Sequence, residues 1–211
     1  MQLVRPMGLY AKYVLPHLIN LAMRNKDVTR LRAQSVPQAR GEVLEIGIGS
    51  GLNLPFYSCE VRRVYGVDPS TELQQMAARK KSAVSFEVTF FQQSAEDIIP
   101  LDDSSIDTIV MTWSLCSIPN PKAALQQMRR VLKSDGRMIF IEHGRSPDPN
   151  VIRWQDRITP LWKRIGGGCH LNRQIDELLG AAGFQITEQK NFYLPGPRPM
   201  TYTYQGLAAR A

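Results

Sequence analysis

With 211 residues the chain is long enough for one compact core and too short for two of ordinary size, and its apolar and charged contents are those of a globular protein. The net charge of +7 comes from Lys and Arg scattered along the chain, which fits a moderately basic surface and gives no nucleic-acid-binding block. Cys59, Cys116 and Cys169 are far apart, form no CxxC pair and no Cys/His cluster in sequence, and support neither a zinc site nor a disulfide framework, so no metal and a reducing, cytoplasmic setting are expected.

The most apolar early stretch, "GLYAKYVLPHLINLAM", is interrupted by Lys12, Pro16 and His17, too short to span a bilayer, and unlike a signal peptide. Residues 8–33 read as helical with a break near Pro16. Val43–Ile46 is predicted as strand 1, running into "GIGSG" and a helix from about Gly51. "VRRVYGVD" is strand 2, ending at Asp68, and Ser70 caps a helix with Leu73, Met76 and Ala77 on one face. "AVSFEVTFF" alternates as strand 3 and "IDTIVM" is strand 4. Asn120 and Pro121 then open a helix as cap and first residue, with Leu125, Met128 and Leu132 on one side. "SDG" turns the chain into strand 5, "RMIFIE".

Residues 151–165 read as an inserted helix with Val151, Trp154, Ile158, Leu161 and Ile165 on one face and Arg153, Arg157 and Arg164 elsewhere, ended by Gly166–Gly168. A helix over Leu171–Ala182, strand 6 "FQITEQK", the loop "LPGPRP" and a last strand near Thr201–Ala209 close the chain; strands this close in sequence pair antiparallel. The expected fold is α/β: a Rossmann-like, seven-stranded, mostly parallel sheet with an antiparallel last strand and helices on both faces. One domain is expected over 1–211, with a helical cap over 1–36 and a lid-like amphipathic insertion over 149–168.

Gly47, Gly49 and Gly51 are spaced GxGxG, whereas a dinucleotide fingerprint needs GxGxxG and this chain has Leu52 at the third position. Glu45, beside the turn, repels a pyrophosphate and attracts an α-amino group. Asp68 lies about twenty residues on, where an acid accepts ribose hydroxyls. A ribose, an amino group and no diphosphate describe S-adenosylmethionine. Pro69 after Asp68 and Thr112 at the end of strand 4 complete this set.

"GEVLEIGIGSG", "VYGVDPS", "SAEDIIPLDDSSIDTIV" and "ALQQMRRVLKSDGRMIFIEH" resemble the class I S-adenosylmethionine-dependent methyltransferases, a group that includes quinone-, lipid- and small-molecule-methylating enzymes. The resemblance implies that Ser94, Ala95 and Glu96 form the adenine loop, with Ser94-Ala95 where the family usually has Asp-Ala. More narrowly, "LCSIPNP", "IEHG", the Trp154…Pro160…Trp162 helix and "GGGCHLNRQIDELLGAAGF" are similar to methyltransferase-like proteins of the animal endoplasmic reticulum, which methylate alkyl thiols, and to their bacterial relatives. Those animal proteins carry an amino-terminal hydrophobic anchor where this chain has the broken segment 8–25.

The implied acceptor is a small apolar thiol, with a lipid head group or quinone-type ring at a membrane surface as the alternative; no nucleic-acid partner is expected. Three groups are candidates for the chemistry. His143, just past strand 5, reads as a base or orienting group, or as a histidine bonded to backbone at a strand end. His170 and Arg173, in "GCHLNR", read as holding an anionic acceptor or thiolate, or as ordinary helix-start residues. Cys116 reads as a small buried residue. Tyr10 and Tyr13 read either as closing over the cofactor or as packing residues. The Trp154/Trp162 helix reads as a lid, as a weak contact with an anionic membrane surface, or as a core-packed helix.

Overall fold

The computed structural model describes residues 8–211, apart from the side chain of Ala11; the first seven residues of the expected cap lie outside it. Seven strands form one sheet in the order β3-β2-β1-β4-β5-β7-β6. They are β1 (Gly41–Ile46), β2 (Val61–Val67), β3 (Glu87–Phe91), β4 (Ile106–Thr112), β5 (Leu132–His143), β6 (Phe184–Tyr193) and β7 (Tyr202–Arg210). β1 to β5 pair in parallel, and β7 lies between β5 and β6, antiparallel to both. This is the Rossmann-like, mostly parallel sheet that the sequence predicts.

Alternation along the strands explains why both faces are buried. Val43, Val64, Val110 and Ile139 point into one apolar cluster; Leu44, Ile46, Met111 and Phe140 point into the other. Glu45 has the parity of Val43, so a carboxylate occupies a core position, 2 % exposed. The second cluster is sealed by α4 (Pro121–Val131), which buries Ala124, Leu125, Met128 and Val131, and by α6 (Ile175–Ala181), which buries Ile175 and Leu179. The predicted caps form: the Ala123 N–H donates to Asn120 (3.2 Å) and the Leu73 N–H to Ser70 (3.3 Å), the latter opening α3 (Thr71–Ala78).

Four element boundaries differ from the sequence reading. No helix follows the glycine turn; the chain makes only a short 3-10 turn over Leu54–Phe56, because Asn53 and Tyr57 are drawn under the sheet edge. The first helical segment is a π turn over Tyr10–Val14 leading into α1 (Leu15–Ala22), which absorbs the N–H that Pro16 lacks; the true break falls at Met23–Asn25, before α2 (Lys26–Ser35). β5 begins at Leu132, and its pairing with β4 jumps from Leu132 to Arg137, so "KSDG" bulges out of the ladder. The helix expected from Leu171 starts at Ile175.

The inserted helix, α5 (Pro149–Ile165), buries Val151, Gln155 and Thr159, so Val151 is the one residue of its apolar stripe that is fully buried. Gln155 is the anchor. It accepts from the Ser146 N–H (3.0 Å) and donates to the Gly144 (2.9 Å) and Pro199 (3.1 Å) carbonyls. Trp154, Leu161 and Ile165 are exposed.

Candidate active site

The strand order reverses between β1 and β4, and ligands of open α/β sheets bind at the carboxyl ends of the strands flanking such a reversal. A cavity of about 280 Å³ lies there. Of the residues predicted for the cofactor, Glu45, Gly47, Gly49, Asp68, Pro69, Ser94, Ala95 and Thr112 line it. Gly51 and Glu96 do not. Gly51, at φ +68°, lies behind the turn, where a Cβ would come within 2.8 Å of Leu54 and 3.1 Å of Ala77. Glu96 instead accepts from the Asn120 N–H at the start of α4. Gly47, at φ +69°, is required by crowding: a Cβ there would stand 2.5 Å from the Ser114 Cβ, on the loop after β4.

Glu45 sits in a neutral cradle. Asn53 donates to one oxygen (2.9 Å) and the Tyr57 hydroxyl to the other (2.8 Å). The second Asn53 N–H goes to Thr112 Oγ1 at 3.0 Å, and Arg32 Nε donates to Asn53 Oδ1 at 3.0 Å. Arg32 spends a further donor on the Met23 carbonyl (2.7 Å) and lies over the Trp113 ring at 5.0 Å. Burial pushes Glu45 up to about 7 despite these donors, and lowers Arg32 to about 10. Among the described residues no cation bonds the carboxylate directly. Asp68 accepts from the Gly49 N–H (3.0 Å) on one oxygen and the Ser70 N–H (2.8 Å) on the other, leaving each oxygen a lone pair; burial raises its pKa.

A second cavity, of about 780 Å³, adjoins the first and shares Ile19, Met23, Trp113 and Ser117 with it. Its walls are mostly apolar, from Leu15, Leu18, Trp162, Ile165 and Met200, and Cys116, His143 and Cys169 also line it. Tyr10 lines this second cavity and not the first, its hydroxyl donating to the Ile165 carbonyl (3.0 Å); Tyr13 points to solvent, 53 % exposed. Asn20 on α1 accepts from the Ser50 hydroxyl (2.7 Å), tying the amino-terminal helix to the glycine turn.

Among the three predicted catalytic groups only His143 lines either cavity. His170 donates its backbone N–H to the Cys116 carbonyl (2.8 Å), and its ring Nδ1 lies 3.1 Å from Arg173. Arg173 bonds the Leu115 carbonyl. Both therefore buttress the loop after β4 from behind. The same loop is held from beneath by Glu142, 0 % exposed, which accepts from the backbone N–H groups of Ser114 (2.8 Å), Leu115 (2.9 Å) and Cys116 (3.4 Å). Burial raises Glu142 to about 6. Trp113 opens this loop in the left-handed region, at φ +51°.

Residues 44–140 match the family described as "Methyltransferase domain". The thiol S-methyltransferase TMT1B of Homo sapiens is 32% identical over 184 residues, covering 83% of this chain and 74% of that protein. The chain belongs to the S-adenosylmethionine-dependent methyltransferases. The rat TMT1B is 36% identical to this methyltransferase over 138 residues, 63% of the chain and about half (55%) of the relative's length. A solved S-adenosylmethionine-dependent methyltransferase from Methanosarcina mazei superposes with a TM-score of 0.66 at 23% identity, covering 82% of this chain and 93% of that one, which speaks to the fold alone.

Four buried residues that line or brace the two cavities escaped the sequence reading: Arg32, Asn53, Tyr57 and Glu142. Glu142 had the one available signal, an acid inside the apolar run "MIFIEH", because a charge on a strand buried on both faces must have partners.

Proposed function

We propose that this methyltransferase moves a methyl group from S-adenosylmethionine to a small apolar thiol, releasing a thioether and S-adenosylhomocysteine. The observation that carries the reading is the apolar cavity of about 780 Å³ that opens beside the cofactor cavity and has His143 and two cysteines in its lining. The names of the human and rat relatives agree with it.

The residues present fit the cofactor. Glu45, with neutral donors only, offers its charge to the α-amino group. Asp68 accepts the ribose hydroxyls, Gly47 and Gly49 let the backbone approach the methionine part, and Ser94-Ala95 lie against the adenine. Glu96 acts indirectly, by fixing the start of α4. When bound, the sulfonium supplies the methyl group already activated for in-line displacement. The protein's tasks are alignment, exclusion of water and presentation of an ionised acceptor. Trp113 and Ser117, shared by the two cavities, mark where methyl and acceptor meet. His143 orients the acceptor there; His170 and Arg173 act through the position of the Cys116 loop. The helices up to residue 36 and the carboxyl end of α5, linked through Tyr10 and Ile165, form the cap that keeps water out.

A panel of alkyl thiols, amines, phenols and quinone precursors, assayed for methyl transfer, tests the reading. Turnover of alkyl thiols is expected, and transfer to a lipid amine or quinone precursor with no thiol turned over overturns it.

The exposed stripe of α5 favours a second reading, a membrane-surface methyltransferase acting on a lipid head group or quinone-type ring. Trp154, Leu161 and Ile165 are exposed beside Arg153, Arg157 and Arg164, the pairing that binds anionic interfaces. No helix among the described residues is long and apolar enough to cross a membrane. If this reading holds, the protein co-sediments with phosphatidylserine vesicles and the Trp154→Ala/Leu161→Ala double variant stays in the supernatant. Wild-type protein that also stays in the supernatant returns the choice to a small acceptor met in the cytoplasm.

A further inference from the structure

Cys116, His143 and Cys169 are 27 and 26 residues apart in sequence, yet their ligand atoms all lie within 4.8 Å of one another. Cys116 is on the loop after β4, His143 is the last residue of β5, and Cys169 follows the glycine turn that ends α5. The two sulfurs stand 3.6 Å apart, and the Cys169 sulfur lies 3.6 Å from His143 Nε2 and 3.8 Å from Nδ1. For a tetrahedral zinc ion with Zn–S bonds of about 2.3 Å and Zn–N bonds of about 2.0 Å, bound sulfurs stand about 3.8 Å apart and a sulfur and nitrogen about 3.5 Å apart. The two edges that meet at Cys169 already have the lengths of such a site, and the third, between Cys116 and His143, lies within 4.8 Å.

Two further features point the same way. Cys116 is 2 % and His143 7 % exposed, and among the described residues the His143 ring has no oxygen or nitrogen partner, only sulfur. A buried imidazole ordinarily finds a backbone or carboxylate partner. Secondly, the backbone around the cluster is fixed from several sides. Glu142 holds the Cys116 N–H, the His170 N–H holds the Cys116 carbonyl, and Gly167 and Gly168 turn with φ +65° and +83° to bring Cys169 in. A disulfide between the cysteines would draw the sulfurs to about 2.0 Å and leave the imidazole with no role.

We propose that Cys116, His143 and Cys169 bind a soft divalent cation, zinc by donor chemistry, as three protein ligands, with the fourth position open to the acceptor cavity and taken by the sulfur of the thiol substrate. Three ligands and an open position are the pattern of catalytic rather than structural zinc. The role of the fourth position rests on the thiol reading above. On coordination the acceptor gives up its S–H proton to solvent and binds as thiolate. A sulfur electron pair then forms the bond to the methyl carbon, and the methyl–sulfonium bond breaks with its electrons staying on the departing sulfur. Both sulfur products are uncharged, no oxidation state changes, and the weakly ligating thioether leaves the metal.

The test uses the full chain, reduced, stripped with chelator and titrated with Co²⁺. One equivalent giving thiolate-to-cobalt charge-transfer absorption and tetrahedral visible bands, displaced by Zn²⁺, is expected. Cys116→Ser, Cys169→Ser and His143→Ala should each weaken binding by about 100-fold, roughly one ligand's share of a zinc site's energy; exposed Cys59→Ser should leave it unchanged. Adding an alkyl thiol should shift the visible bands and an alkyl alcohol should not. Absence of the charge-transfer band in reduced wild-type protein overturns the site, and this result stands even if a variant fails to fold. Bands that no thiol moves overturn the substrate's place on the metal while thiol turnover, measured separately, still judges the thiol reading. Metal binding in a protein that turns over no thiol leaves the site standing and removes the thiol reading.

Discussion

Replacing Glu45 with glutamine is expected to weaken S-adenosylmethionine binding by roughly 30- to 150-fold and to remove its pH dependence near neutrality. Among the described residues the buried carboxylate accepts only from Asn53 and Tyr57, so a cationic amino group adds a charge-assisted bond worth about 2–3 kcal/mol. Its pKa in the free protein, pushed from 4.5 to about 7 by burial, sets the profile. Below about 7 the group is protonated and must ionise before it pairs with a cation, so wild-type affinity should fall by about tenfold per pH unit there, with a proton released on binding. Glutamine carries no such proton, and its profile should be flat. Calorimetry between pH 5.5 and 8 checks this; superimposable profiles for the two proteins would sink the assignment of Glu45. The free protein should behave in the opposite sense. A carboxyl whose folded pKa lies above its unfolded value makes the fold less stable as pH rises between the two, here from 4.5 to about 7, by about 3 kcal/mol at full effect. Above pH 7, therefore, Glu45→Gln should be more stable than wild type without cofactor and bind cofactor worse, and at pH 4.5 the stability difference should vanish.

What the sequence reveals follows from how far each signal reaches. The glycine turn, Asp68, the Asn120-Pro121 helix start and the order of strands are local patterns, each written within a dozen residues. They place β1, β2, β4 and their carboxyl ends correctly, and eight of the ten residues read as cofactor-binding line the cavity there. The stretch after Gly51, read from the sequence as the start of a helix, makes only a 3-10 turn over Leu54–Phe56. Its conformation is decided instead by Asn53 and Tyr57 reaching a carboxylate on β1. Arg32 carries no signature on the polar helix α2, since its partners Asn53 and Met23 come from elsewhere. On α5 the apolar stripe alone does not separate lid, membrane contact and core face; the helix is anchored by Gln155, whose amide satisfies two carbonyls and a backbone N–H that no apolar side chain can satisfy. The Cys116, His143 and Cys169 cluster is the longest-range case. Sequence spacing argues against any ligand set, and only the convergence of β4, β5 and the turn after α5 at one sheet edge assembles it.

Glu142→Ala is expected to lower the melting temperature by about 10 °C and to disable both cavities together, whereas Glu142→Gln should cost about half as much. The carboxylate satisfies three backbone N–H groups on the loop after β4, and each buried donor left unpaired costs about 1–3 kcal/mol. A loss of about 3–5 kcal/mol corresponds to that shift for a chain of this size, at about 2–4 °C per kcal/mol. Glutamine keeps an oxygen for Ser114 and Leu115, and its amide meets the Cys116 N–H donor to donor. The effect should reach ligands because Trp113 and Ser117, on the same loop, line both cavities, and Trp113 holds a left-handed backbone that the bonds to Glu142 keep in place. Differential scanning calorimetry together with S-adenosylmethionine titration reads both consequences. An alanine variant melting within about 2 °C of wild type would show that the loop keeps its shape without the carboxylate. Unchanged cofactor affinity despite a large melting shift would show that Glu142 supports the core alone. The coupled loss is expected because one buried acid fixes the segment against which both cavities and Cys116 are built.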